Sequence, residues 1–182
     1  MIRWLRRMHW VPLALAPIVA RFLRVDKIDL PFVWPPIGDY ESLLCTLAAA
    51  TVALFGVIPL KLRTQAIAAR NMKIALGVGS VFVVLYGILL MTVVVPRPTP
   101  KNGTVYIAIG FERTDLAKSK FPNVSNDELI KDAGLEQGDI EKLWTASSIL
   151  LAKTLLFLSY LGAMTSLNYA IGAHERSTPS KK

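Results

Sequence analysis

Between Asp139 and Gly172 the chain contains no proline, and no glycine before Gly162, while its character changes from polar to apolar. No breaker interrupts this stretch, so the simplest backbone expected for it is one continuous helix. Its first turns carry Trp144 and Ala146 and belong to a polar segment, whereas its last turns form a run long enough to cross a bilayer. A rotation at one end of such a helix must reach the other. Trp144 and Ala146 are therefore the expected coupling residues between a water-exposed module and the membrane.

The rest of the chain supports that frame. Leu43 to Leu60 and Ile74 to Val95 contain no charged residue, and each is long enough for a span. Met8 to Leu23 is shorter and carries Pro12 and Pro17, so it is the weakest of the four apolar runs. With 53% hydrophobic residues and a mean hydropathy of +0.43, the chain is too apolar for an ordinary soluble domain. Arg3, Arg6 and Arg7 before an apolar run also match the layout of a signal peptide. Arg21 and Arg24 after that run, and the lack of a small-x-small site, argue against cleavage. Cys45, the only cysteine, lies inside an apolar run and excludes an internal disulfide.

The fold class expected is an all-α polytopic membrane protein with four transmembrane helices and a small α+β module between the third and fourth. Residues 1–96 hold the first three helices and their loops, 97–147 the module, and 148–182 the fourth helix and a basic tail. The segments Met1–Arg7, Lys61–Lys73 and Glu175–Lys182 carry ten basic residues against one acid, Glu175. The positive-inside rule places all three in the cytoplasm, with the module and residues 24–41 on the other side. Both termini are then cytoplasmic.

Within the module, Val105, Ile107, Ile109 and Phe111 alternate with Thr104, Tyr106, Ala108 and Gly110, which predicts a strand over Thr104–Arg113. The run Pro96-Arg97-Pro98-Thr99-Pro100 is expected to stop the third helix and stiffen its exit. The partner of the strand is expected in residues 28–34 or in the same strand of a neighbouring subunit. Ser125-Asn126-Asp127-Glu128 reads as a capping box that opens a short helix, with Gly134 closing it. The following helical hairpin carries Glu136, Asp139 and Glu141, the wrong charge for reading DNA.

No pattern in the sequence carries a reaction. His9 and His174 have no ligand-type neighbours at metal spacing, and no nucleophile elbow or phosphate loop is present, so neither an enzyme nor a cofactor is expected. Lys153 is the one ionisable residue well inside a span and, with Asn168, marks a candidate polar pathway; the alternative is a lysine that snorkels to the interface. Ser159, Gly162, Ala163, Ser166 and Ala170 recur at spacings of three and four and form a small-residue strip for close helix approach. That strip serves either packing within one bundle or contact between subunits.

Four helices, one compact polar module and no catalytic residues make a layout that resembles small multi-span effector or sensor proteins of bacterial anti-phage defence systems. The resemblance covers the whole chain as architecture. It implies a non-enzymatic homo-oligomer in the lipid bilayer, located in the bacterial inner membrane, that perturbs the membrane or activates a partner when a second protein or small ligand engages residues 97–147. An accessory or immunity subunit packed against another membrane protein is the alternative.

Overall fold

The computed structural model describes residues 35–37, 43, 46, 47, 50, 65–98, 104–132 and 140–177. The expectations for Met8–Leu23, for residues 28–34, for Gly134, and for most of Leu43–Leu60 lie outside the described residues. The described elements run in the order α1 (Gln65–Val93), β1 (Val94–Pro98), β2 (Thr104–Ala108), α2 (Asp115–Lys120), α3 (Asn126–Asp132), α4 (Ile140–Leu143) and α5 (Ala146–Ser177).

Helices α1 and α5 are both long and apolar enough to cross a membrane. Only 28% of the most apolar stretch of α1 and 33% of that of α5 is buried, unlike the core helix of a soluble protein. Val81, Val84, Ile88 and Met91 all stand more than half exposed on α1. Helix α1 starts nine residues before the expected Ile74 because Gln65–Lys73 is built of good helix formers. Arg70 and Lys73 accordingly belong to the helix and not to a loop.

The two helices pack antiparallel. Asn71 Nδ2 donates to Tyr169 Oη at 3.2 Å near one end, and the rings of Tyr86 and Tyr160 lie 5.5 Å apart towards the other. Between these points a Cβ built on Gly79 would sit 3.2 Å from Ser166 Cβ, and one on Gly162 would lie 2.7 Å from the Phe82 ring. Glycine at both positions lets the two backbones approach.

Helix α1 stops at Val93 because the ring of Pro96 would clash with the carbonyl of Thr92, and a residue before proline favours extended backbone. The chain then enters β1, so the expected boundary at residues 96 and 97 falls inside a strand. Strand β1 pairs antiparallel with β2, from Val94↔Ala108 at the base to Pro98↔Thr104 at the far end. Strand β2 thus has a partner in the residues directly after α1, where the sequence led to the expectation of a partner only in residues 28–34 or in another subunit. Ile109 N donates to Val93 O at 2.7 Å, which puts odd-numbered residues of β1 in the hydrogen-bonded pairs. Pro96 and Pro98 fall between them, where the missing N–H faces outward and nothing is lost from the ladder. The prolines that read as a helix stop are thus also compatible with an edge strand.

The core of the module is continuous with the module end of the helix pair. Val95, Ala108, Ile109, Ala117, Leu129, Ile130, Leu143 and Trp144 are buried in one cluster with Leu90 and Val93 of α1 and Ile149 and Ala152 of α5. Ile37 is fully buried in the same cluster and Pro35 is buried beside it in sequence, so the segment expected to be an external loop contributes to the core. The capping box is formed as expected. Ser125 Oγ accepts from Glu128 N at 3.2 Å, and Ser125 N donates to Glu128 Oε2 at 3.2 Å.

Candidate functional site

The continuous helix expected over Asp139–Gly172 is broken. Helix α4 ends at Leu143, and Trp144 forms an isolated antiparallel bridge with Arg113 before α5 begins at Ala146. Thr114 N donates to Leu143 O at 2.9 Å and Thr145 N to Glu112 O at 3.0 Å, closing the bridge from both sides. Thr114 Oγ1 adds a bond to Lys142 O at 2.8 Å, and Ser148 Oγ one to Glu112 O at 3.2 Å. Helix α5 restarts on Thr145, whose carbonyl accepts from Ser148 N at 3.0 Å and Ile149 N at 3.1 Å.

The physical reason for the break is Trp144. The bridge leaves it 1% exposed in the module core, a burial of large aromatic area that outweighs a few helical hydrogen bonds. Those bonds, each worth about 1 kcal/mol net, are in any case replaced by the bonds of the bridge. Thr145-Ala146-Ser147-Ser148 also reads as a helix start, although the Thr145 hydroxyl is buried without a hydrogen-bond partner among the described residues and it is the Thr145 carbonyl that accepts from the first turn. Trp144 is therefore a buried wedge between the module and the start of the membrane-length helix α5. Ala146 is the first residue of α5, not a link inside a rod.

Gly110 completes the joint. A Cβ there would collide with Ser148 Oγ and would lie 3.1 Å from both Ile149 N and Trp144 Cβ. The end of the β2 segment thus runs directly against the first turn of α5. Three residues on, the Arg113 side chain braces the loop after α2. Its Nη2 donates to Asn126 Oδ1 at 2.6 Å and Val124 O at 2.7 Å, its Nε to Asn126 Oδ1 at 3.1 Å, and its Nη1 to Phe121 O at 3.2 Å. The segment Glu112–Thr114 is thereby tied to Leu143–Thr145 by its backbone, and to the end of α2, the following loop and α3 by the Arg113 fork of donors. Neither Gly110 nor Arg113 was singled out by the sequence. The available signal was a glycine at the end of a strand pattern, which marks close approach of another backbone.

The other expected residues fall elsewhere. Ser159 and Ala170 are buried, and Gly162, Ala163 and Ser166 are half-buried on α5, with Gly162 and Ser166 facing Phe82 and Gly79 of α1. At these contacts the strip packs within the chain. Lys153 lies seven residues after the start of α5, and Asn168 fifteen residues further on. At about 1.5 Å per residue they are roughly 22 Å apart along the axis, so the structure does not bring them together. Among the described residues, no three His, Cys, Asp or Glu side chains gather closely enough to hold a metal ion. A shallow groove of about 500 Å³ opens beside the joint, lined by Phe111, Glu112, Arg113, Lys118 and Pro122. Lys118 Nζ bonds Glu112 Oε1 at 3.0 Å across it.

No protein-family model, curated protein or solved structure matches the chain. The arrangement suits mechanical transmission: a compact module is hydrogen-bonded to one membrane-length helix and is the direct continuation of the other.

Proposed function

We propose that the chain is a non-enzymatic polytopic membrane protein in which engagement of the module shifts α1 against α5 and so perturbs the membrane or activates a partner. The observation that carries the reading is the bridge of Glu112–Thr114 to Leu143–Thr145. It holds the module to α5 while β1 continues α1 without a linker. Two antiparallel helices with one rigid body across their ends form a unit whose relative position can be biased from the module. In the version that the resemblance to defence effectors implies, the active form is a homo-oligomer.

Four spans remain the proposed count, and the placement of the described residues supports at least three. Ile37 packs at the module end of the helix pair, whereas Gln65 lies at the opposite end of a helix of 29 residues, about 43 Å away. The chain between them has to connect these ends, and the apolar residues Leu43 to Leu60 lie on that connection. The antiparallel packing also puts Arg70 and Lys73 on the same side as the tail of α5. The positive-inside rule then supports a cytoplasmic position for both and an external one for the module.

Thr145→Pro tests the reading. It deletes the Thr145 N donor to Glu112 O while keeping a residue type tolerated at a helix start. In a bacterial host, induced native chain should depolarise the inner membrane, read by a voltage-sensitive dye. The variant should insert at the same level and depolarise less. Equal depolarisation by both chains contradicts transmission through the bridge. A native chain with no effect at any level, co-purifying with one membrane protein, supports an accessory subunit instead.

A further inference from the structure

Phe111 is 49% exposed, although its two neighbours are pinned against the first turn of α5. Gly110 lies against Trp144 and Ile149, and the Glu112 carbonyl accepts from Thr145 N and Ser148 Oγ. Phe111 is therefore level with residues 144–149, within about one helical pitch of where the span begins. Just beyond it along α5, Leu150 and Leu151 are 51% and 52% exposed, which marks the start of the apolar band. In the other direction Val105 is also exposed, but it stands three pairs from the hairpin base at Val94↔Ala108, about 10 Å further out.

A bilayer about 40–45 Å thick with a hydrocarbon core of about 30 Å leaves a headgroup layer of roughly 5–7 Å on each side. On the membrane reading proposed above, on which this inference rests, Phe111 falls in that layer and Val105 outside it. The groove beside Phe111 opens at the same level. Its walls combine an aromatic ring, the carboxylate of Glu112 and the ammonium of Lys118, which has three donors, gives one to Glu112 and also lies 3.9 Å from Asp115 Oδ1. That combination matches the apolar glycerol boundary, amine and phosphate of a zwitterionic headgroup. We propose that the Phe111 side of the module is seated in the headgroup layer and that its groove takes a phospholipid headgroup. The module is then held against the bilayer by its own lipid contact as well as by the two helices.

The test is nitroxide labelling of the full chain in a Cys45→Ala background, reconstituted in phosphatidylethanolamine and phosphatidylcholine vesicles. Labels go at Phe111→Cys and Pro122→Cys, with Leu151→Cys and Val105→Cys as references. Collision is measured with oxygen, with a soluble nickel chelate and with a nickel-chelating lipid that holds the metal at headgroup level. The labels at 111 and 122 should respond severalfold more to the nickel lipid than to the soluble chelate, Leu151 to oxygen, and Val105 to the soluble chelate. Labels at 111 and 122 that behave like Val105, while Leu151 stays oxygen-exposed, overturn the inference and leave the membrane reading standing. A Leu151 label that responds to the soluble chelate overturns both. Pro122 is exposed, so its variant decides the matter by itself if the Phe111 variant does not assemble.

Discussion

Gly110→Ala is the smallest change that reaches the joint. Elsewhere, replacing a glycine by alanine at a compatible backbone position stabilises by about 0.4–1 kcal/mol through the unfolded chain. Here the new methyl would collide with Ser148 Oγ and press on Ile149 N and Trp144 Cβ, both at 3.1 Å. The last two contacts involve backbone and a fully buried tryptophan, so neither can swing away. Overpacking of this kind costs about 1–3 kcal/mol. Displacing the Ser148 hydroxyl from Glu112 O and Thr145 O adds about 1 kcal/mol. The net expectation is a loss of about 1–3 kcal/mol, against a gain if the joint were loose. Sodium dodecyl sulfate titration in mixed micelles, followed by tryptophan fluorescence, measures it. Adding Ser148→Ala removes the closest contact, so the double variant should lose less than the sum of the single losses by at least about 0.5 kcal/mol. A Gly110→Ala chain as stable as the native one, or additivity in the cycle, would refute the close approach of β2 to α5.

Three further outcomes follow from the same geometry. Ala146→Pro should be tolerated within about 1 kcal/mol because proline suits the first helical position, whereas Ala152→Pro inside α5 should cost about 3 kcal/mol or more in the same titration. Gly162→Ala should destabilise the monomer by about 1–3 kcal/mol by pushing on the Phe82 ring; loss of oligomer mass with unchanged monomer stability would move this residue to a subunit interface. Arg113→Lys keeps the charge and loses the fork on Asn126, Val124 and Phe121, and should cost about 1–3 kcal/mol with faster amide exchange in residues 121–126.

What the sequence made legible were the features written in local chemistry. The third and fourth apolar runs became two membrane-length helices, and Ser125 with Glu128 formed its capping box, because each depends on residues near one another in the chain. The strand expected over Thr104–Arg113 was legible for the same reason, although it ends at Ala108, and its partner was not. Pro96 and Pro98 look like a strand's enemies until the register puts them between hydrogen-bonded pairs. The break at Trp144 was hidden because no breaker causes it. A tertiary gain, burial of one indole and pairing with Arg113, overrides a stretch that could by itself continue as helix. Thr145 before Ala-Ser-Ser was the local trace of that outcome. Gly162 and Ser166 illustrate the converse limit: spacing showed that another helix could approach, and only the fold identified it as α1.

The measurement closest to the central claim is hydrogen exchange at the two bridge amides, Thr114 and Thr145, in the full chain held in lipid nanodiscs. Both donate into the bridge, to Leu143 O and Glu112 O, at 2.9 and 3.0 Å. If the module and α5 form one mechanical unit, these amides open only with the module core, and their exchange should be as slow as that of Trp144 and Ile149 beside them. Exchange at the rate of an exposed loop, with the helices still protected, would contradict the account by making the module a tethered body free of α5.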